Sequence, residues 1–452
     1  MDAFRIHGGR RLTGRVAVDG SKNAALPLMS AAILADGPVE LHGVPDLSDI
    51  GNMAGLLGEL GCTVEAGNRS LTLLADHGGP SHARYDIVRT MRASVCVLGP
   101  LLARRGKARI SMPGGCAFGD RPIDLHLRGL EALGAQIHLE SGDIIAEAER
   151  LRGATIFLGG PFGSTVLGTA NVMSAAALAE GRTIIESAAC EPEVADLAAL
   201  LNAMGARISG AGTPRITIDG VEGLGGATHE VMPDRIVAGT WALAAAITNG
   251  EVIIDRFPLD HLLAVVDILE KVGIHVVQLD SNEDPSACSV RVTSDRHLEP
   301  IIFTTQPFPG FPTDLQAQLM ALLCLARGNS IVTEKIYPER FMHVPELARM
   351  GAKLVRQGAT VAVQGVERLV GAPVMASDLR ASASLVLAGL AAEGETTVSR
   401  VYHLDRGYGA MEDTLSGLGA SIERISGDAE DAPLIHTRGA STPSLKFVQG
   451  NG

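Results

Sequence analysis

Apolar positions along this chain fall in short runs of Ala, Leu and Met that close near a glycine and give way to β-branched residues. Six segments follow this pattern: MSAAILADGPVELHG, LGPLLARRGKARISM, MSAAALAEGRTIIES, LAAAITNGEVIID, MALLCLARGNSIVTE and LVLAGLAAEGETTVS, turning at Gly37, Gly106, Gly181, Gly250, Gly328 and Gly394. Each predicts a helix stopped by a residue free to take φ > 0, then a strand. A second marker interleaves with the first in LLGELGCTVE, LEALGAQIHL, LLNAMGARIS, ILEKVGIHVV, ELARMGAKLV and TLSGLGASIE, again helix, glycine and strand. Glycine-capped Ala-rich helices are common singly, but two markers alternating in fixed order six times are not. Gly37 to Gly394 in five steps averages about 71 residues, too long for a solenoid repeat and right for a small βαβαββ unit. The 452 residues exceed what one hydrophobic core usually supports. The pattern therefore predicts an α/β protein of two domains of roughly 200 residues, with three units in each.

Composition refines this picture. Hydrophobic residues make up 46% of the chain and aromatics only 3%, so the interior must be built of close-packed aliphatic side chains and glycines. The formal net charge of −13 argues against nonspecific nucleic-acid binding, which needs a basic face, and any anionic substrate must meet a local basic focus. Six cysteines without a CxxC pair disfavour a zinc site and a disulfide framework and read as reduced thiols. Residues 1–10 lack a signal-peptide core, and no later apolar run approaches the ~20 residues of a membrane span, so the protein is expected in the cytoplasm. The tail from about Asp428 to Gly452 is rich in Asp, Ser, Pro and Gly and is expected to be loose.

Candidate chemistry sits between the repeats. Ser21-Lys22-Asn23 leads into the first apolar helix, where a cation and an amide at a helix start suit anion binding, although a lysine alone is more often a solvated surface residue. Cys116 lies in a glycine-rich loop, Pro113 to His126, five residues before Arg121. Cys96 and Cys324, within apolar runs, read instead as small core residues. Asp314 stands beside a proline turn, Arg340 and His343 precede another helix, and Asp378 with Arg380 and Asp405 with Arg406 form two Asp/Arg pairs. Each pair taken singly reads equally well as an N-cap or a surface ion pair. Lys22, Arg92, Arg121, Arg340, Arg380 and Arg406 all fall in loops or helix starts. If those ends converge they make a basic cleft, suited to a substrate with several negative charges, since arginine pairs bidentately with phosphate and carboxylate.

Seven segments together resemble one family, the UDP-N-acetylglucosamine 1-carboxyvinyltransferases, across roughly residues 1 to 425. They are SKNAALP (Ser21 to Pro27), RTMRAS (Arg89 to Ser94), PGGCAFGDRPIDLH (Pro113 to His126), FPTDLQAQ (Phe311 to Gln318), RFMHVPEL (Arg340 to Leu347), DLRASASLVLAG (Asp378 to Gly389) and DRGY (Asp405 to Tyr408). The resemblance implies the first committed step of peptidoglycan synthesis, the transfer of an enolpyruvyl group from phosphoenolpyruvate to the sugar 3-hydroxyl. It implies an enolpyruvyl transferase fold, a two-domain inside-out α/β barrel with three βαβαββ units per domain. The first domain would span 22–232 and the second 1–21 plus 233–427, leaving 428–452 as the tail.

By the same resemblance Lys22, Arg121 and Arg406 would hold phosphoenolpyruvate through its phosphate, Arg340 and Arg380 are candidates for its carboxylate, and Asn23 would also contact it. Asn23, Arg92, Arg121, Pro122, Ile123, Asp124, Leu125, Thr165, Val166, Asp314 and Ile336 would contact the UDP-sugar. Cys116 would protonate the C3 methylene and Asp314 would help remove the hydroxyl proton, with Lys22 and Arg406 assisting catalysis. A thiol is mostly protonated at neutral pH and becomes a better acid beside guanidinium groups, so the residue type suits the role. No metal or organic cofactor, nucleic acid or membrane is implied. The UDP-sugar would close the domains, and a phosphonate-bearing epoxide such as fosfomycin would alkylate Cys116. The chain departs from the pattern at Gly163, where there is no lysine, at Thr165, where serine is frequent, and at Cys190, where arginine is common. The contacts to the diphosphate are therefore expected to differ. Two other readings stand beside this one: an enolpyruvyl transferase with another acceptor, such as a shikimate-type enzyme, and a UDP-sugar-binding regulator that has lost turnover.

Overall fold

Five helices of this chain carry almost no polar stripe and a sixth is apolar until Arg104 and Arg105 in its last turn, and a helix that is apolar all round is stable only when surrounded by protein. In the computed structural model, which describes residues 2–112, 123–294 and 297–426, they are the innermost elements. Every residue of Arg235–Ile247 and of Gln316–Leu323 is buried, and Val166–Ala176 buries all but its first two. Lys22–Ala31, Leu98–Arg105 and Leu379–Ala391 complete the inner set. Each has an amphipathic or half-buried partner helix nearer the surface: Ser48–Glu59, Asp124–Ala132, Pro192–Ala203, Leu263–Val272, His343–Arg349 and Met411–Gly417.

Among the described residues six separate four-stranded sheets wrap these helices, and none closes into a hydrogen-bonded barrel. The fifth unit shows the common plan. Ile302–Thr304, the helix Gln316–Leu323, Asn329–Thr333, the helix His343–Arg349, and the strands Lys353–Gln357 and Thr360–Gln364 follow one another as βαβαββ. The first strand pairs in parallel with the second, and the other ladders are antiparallel. Burial alternates along Thr360–Gln364, as a sheet with one wet face requires.

Three units are completed by distant segments. Thr13–Ala17 pairs in parallel with Glu251–Phe257, and Ala3–His7 lies between Glu395–Ser399 and Ser421–Ile425. Ala227–Glu230 returns to pair with Val39–His42. The buried apolar residues accordingly form two large clusters, one drawn from residues 24–231 and the other from 4–18 and 236–420. Where the chain passes between the halves, its two crossings run side by side. Ser21 N–H donates to Met232 O at 2.7 Å, and Asp234 N–H to Asp19 O at 2.9 Å.

The glycine reading needs one correction. All six glycines of the second marker, Gly61, Gly134, Gly205, Gly273, Gly351 and Gly419, take φ between +84° and +110°. In the first marker Gly106, Gly181, Gly328 and Gly394 also take positive φ, from +69° to +139°, but Gly37 and Gly250 do not. At Gly250 the left-handed turn falls one residue earlier, on Asn249 at φ +49°, and a Cβ on the glycine would lie 2.2 Å from Leu12 O. Glycine stands there because another backbone comes too close for a side chain. Cys96 and Cys324 are buried as expected, and burial pushes both thiols up to about 12. Among the described residues no helix is long and apolar enough to cross a membrane.

Candidate active site

Ser21 caps the first inner helix, its Oγ accepting from Ala24 N–H at 3.3 Å, which fixes Lys22 at the first helical position. Lys22 is no surface lysine: it is only 8% exposed, and its Nζ donates to Asp49 Oδ2 at 3.0 Å. Asp49, 2% exposed, stands in the first turn of Ser48–Glu59, where a carboxylate meets the positive end of the helix. Arg406 reaches it from the other half, with Nε at 3.0 Å from Oδ1 and Nη2 at 3.4 Å from Oδ2. Burial lowers the Lys22 pKa; Asp49 opposes that shift, and the charges of Arg380 and Arg406 add to it.

A second cluster forms around Asp314 in the short turn Thr313–Leu315 that opens Gln316–Leu323. Arg340 Nη1 donates to Asp314 Oδ1 at 2.6 Å and to Thr313 Oγ1 at 3.0 Å, while Arg380 Nη2 lies 3.3 Å from Oδ2. Arg380 Nη1 also donates to the Tyr408 hydroxyl at 3.2 Å. That hydroxyl meets Thr240 Oγ1 at 2.9 Å and accepts from Gln318 Nε2 at 3.3 Å, so the three inner helices of this half converge on one phenol. Burial opposes the charge of both guanidiniums, yet Asp314 and their other partners raise their pKa values above the usual arginine level. Both cations are therefore held charged and nearly dry, the condition under which they bind an anion strongly.

The two clusters are joined. Asp234 caps Arg235–Ile247, its Oδ1 accepting from Ile236 and Val237 N–H at 2.8 and 3.0 Å, while Oδ2 accepts from Lys22 N–H at 3.3 Å. The next residue, Arg235, crosses to Glu193 in the opposite half, with contacts of 3.0 and 3.3 Å. Glu191 nearby accepts weakly from Phe308 N–H at 3.4 Å, and burial raises its pKa.

The other expected residues line adjoining elements. Asn23 follows Lys22 and is half-buried. Arg92 opens Arg92–Val97, close enough that, after burial, its charge helps depress His126 to about 4. Ile123 is buried, Asp124 exposed and Leu125 half-buried at the start of Asp124–Ala132. Thr165 caps Val166–Ala176, accepting from Gly168 N–H at 3.2 Å, so its hydroxyl already serves the helix, with Val166 half-buried beside it. Ile336 is set by Glu334, a fully buried carboxylate that accepts from Thr305, Thr313 and the N–H groups of Ile336 and Tyr337 at 2.7 to 3.0 Å. Cys116, Arg121 and Pro122 lie outside the described residues.

The two Asp/Arg pairs of the sequence resolve differently from their spacing. Asp378 is an N-cap, accepting from the Arg380 and Ala381 N–H groups at 2.9 and 3.2 Å, while the Arg380 side chain goes to Asp314. Asp405 pairs with Arg424 rather than with Arg406, whose partner is Asp49. The site is thus basic residues set on acidic ones, not a bare cluster of cations. Sequence reasoning missed Asp49, Asp234, Arg235, Glu193 and Glu334. Asp49 alone had a readable signal, since it occupies the same stripe as Met53 and Leu56, an acid where an apolar residue belongs. Of the departures, Gly163 takes φ +103°, strained for a lysine, and Cys190 is half-buried with Sγ 3.8 Å from Ala188 O.

The family model for EPSP synthase (3-phosphoshikimate 1-carboxyvinyltransferase) matches residues 6–415. The UDP-N-acetylglucosamine 1-carboxyvinyltransferase of Geobacter metallireducens is 53% identical over 425 residues, covering 94% of this chain and all of that protein. The enzyme of that name from Gluconacetobacter diazotrophicus is 54% identical over 428 residues, with the same coverage. Among solved structures, the enolpyruvyl transferase NikO of Streptomyces tendae superposes with a TM-score of 0.84 at 26% identity, over 94% of this chain and 99% of that one. The EPSP synthase of Acinetobacter baumannii superposes with a TM-score of 0.75 over 94% of this chain and all of that one, and at 19% identity it speaks for the fold alone. The six-unit architecture and the near-complete match to these relatives agree, and the chain belongs to the UDP-N-acetylglucosamine 1-carboxyvinyltransferases, within the wider enolpyruvyl transferase family.

Proposed function

We propose that this protein transfers the enolpyruvyl group of phosphoenolpyruvate to the 3-hydroxyl of UDP-N-acetylglucosamine and releases phosphate, the first committed step of peptidoglycan synthesis. The observation that carries this reading is the pairing of cations in two sets, Lys22 with Arg406 and Arg340 with Arg380, each on its own buried or half-buried carboxylate. Phosphoenolpyruvate has two anionic ends, and two cation pairs suit it. Lys22, Asn23, Arg121 and Arg406 take the phosphate, and Arg340 and Arg380 the carboxylate. Once the carboxylate draws those guanidiniums, Asp314 loses hydrogen-bond donors and becomes a better proton acceptor.

In the addition step the sugar 3-oxygen bonds to C2, its proton passes to Asp314, and the Cys116 thiol gives a proton to C3. The arginines and Lys22 steady the charge of the tetrahedral intermediate. In the elimination a C3 proton returns to the Cys116 thiolate as the C2–O bond to phosphate breaks, and the departing phosphate takes up the proton left on Asp314. Asn23, Arg92, the Arg121 to Leu125 segment, Thr165, Val166, Asp314 and Ile336 hold the UDP-sugar. We divide the chain for this purpose into 22–232 and 1–21 with 233–427, two bodies that the UDP-sugar draws together. Both substrates are soluble and phosphorylated, which supports a reaction in the cytoplasm.

Phosphate release from phosphoenolpyruvate with UDP-N-acetylglucosamine, shikimate 3-phosphate or no acceptor, in wild type and Cys116→Ser, tests the reading. Release with the UDP-sugar alone, lost in the variant, is expected. Release with another acceptor only would move the assignment to a different branch, and no release with either would favour a non-catalytic binder.

A further inference from the structure

Two cations, one from each half, meet at one carboxylate. Asp49 accepts from Lys22 Nζ on its own half and from Arg406 Nε and Nη2 on the other, at 3.0, 3.0 and 3.4 Å. The neighbouring Ser48 Oγ donates to Asp405 O at 3.3 Å, so the start of this helix is fastened to the 405–406 segment twice. Two cations on one anion leave an excess of positive charge. Lys22 spends one of its three N–H donors on Asp49, and a ligand oxygen can take the others.

We propose that Asp49 is a positioning residue that holds Lys22 and Arg406 across the interface at a fixed separation, so that one phosphoryl group meets both. This rests on the phosphoenolpyruvate reading above. The groups bearing on Lys22 are Asp49 on the Ser48–Glu59 helix, Arg406 before Met411–Gly417, Arg380 on Leu379–Ala391, and the Asp234 cap at its backbone. Asp49 is the acid that counters two cations here. Burial and those cations favour the neutral amine, so removing the Asp49 charge moves the loss of the Lys22 proton to lower pH, besides loosening Arg406.

The test uses the full chain with Asp49→Asn and Asp49→Glu. The pH dependence of trace acetylation of Lys22, read by peptide mass spectrometry without substrate, reports its titration directly. Steady-state phosphate release reports KM for phosphoenolpyruvate and kcat separately. In Asp49→Asn the Lys22 midpoint is expected to fall, and KM for phosphoenolpyruvate to rise by about tenfold or more, the usual scale for a lost charge-assisted contact, with kcat changing less. Asp49→Glu, which keeps the charge, is expected to restore the midpoint and part of KM. An unchanged midpoint and KM in a folded Asp49→Asn overturns the proposal. Should that variant not fold, Arg406→Gln serves: removing the second cation must raise the Lys22 midpoint, and a midpoint that stays put overturns the three-way coupling. Wild type without turnover would sink the functional reading and still leave the Lys22 titration to judge Asp49.

Discussion

His126 shows how one buried side chain records its surroundings. Its Nδ1 lies 2.9 Å from Asn171 Nδ2, and that amide also donates to Val95 O at 2.8 Å while Asn171 Oδ1 accepts from Gly99 N–H at 2.8 Å. The amide orientation makes Nδ1 an acceptor, so the imidazole is neutral with its proton on Nε2. Burial first, and the charge of Arg92 second, hold its pKa at about 4. Burial does the same to His343, also held at about 4. The unfolded chain takes up these protons near pH 6.5 and the folded one does not. Stability from the two neutral rings is therefore complete above about pH 6.5 and is lost as pH falls toward about 4, on the order of 3 kcal/mol for each ring at most. Thermal midpoints measured from pH 7.5 to 4.5 should fall, and His126→Gln should make the fall shallower; an identical slope in the variant would remove His126 from the account. The Pro113 to His126 motif placed this histidine beside the candidate cysteine loop in sequence. Its burial and its amide partner depend on residues 45 positions away and were not legible there.

At the scale of elements, the helix, glycine and strand rhythm was readable because it is local chemistry. A left-handed residue after a helix is specified by the residue itself, and all six glycines of the second marker occupy that conformation. Gly250 looks the same in sequence and is there for another reason, since its Cβ position lies 2.2 Å from Leu12 O and about 3.1 Å from Leu12 C and N. The strand Thr13–Ala17 begins just beyond Leu12 and pairs with Glu251–Phe257, so the clash would fall where the fourth sheet recruits its distant strand. Gly250→Ala should therefore destabilise by about 1–3 kcal/mol through forced backbone movement. A thermal midpoint equal to that of wild type would show that the Leu12 segment gives way freely.

For the whole molecule the interface between halves matters most, because there buried charges of one half meet those of the other. Arg235 and Glu193 are both nearly inaccessible and belong to helices of different halves. A buried pair is no certain source of stability, but removing one partner strands the other's charge. Glu193→Ala should lower stability by about 3–5 kcal/mol, seen in urea or thermal unfolding, whereas Arg235→Met with Glu193→Leu together should cost much less. Equal losses in the single and double variants would mean that packing, not charge, is what the pair supplies.

The sequence by itself determined the repeating unit, the number of units, the apolar character of the inner helices and the identity of most charged candidates, because these depend on neighbours within a few residues. Its motifs also named Lys22, Asp314, Arg340, Arg380 and Arg406, which the fold gathers on Asp49 and Asp314. What pairs with what was decided only in three dimensions. Asp49 lies 27 residues from Lys22 and 357 from Arg406, and Asp314 lies 66 from Arg380, so no local spacing could couple them. Apparent pairs such as Asp378 with Arg380 became a helix cap instead, because a carboxylate two residues before an arginine reaches the free N–H groups of its own helix start more readily than the side chain. Local sequence sets the elements, while the close approach of buried charges from distant parts of the chain sets the site, since a charge taken out of water must find its partner wherever the fold brings one.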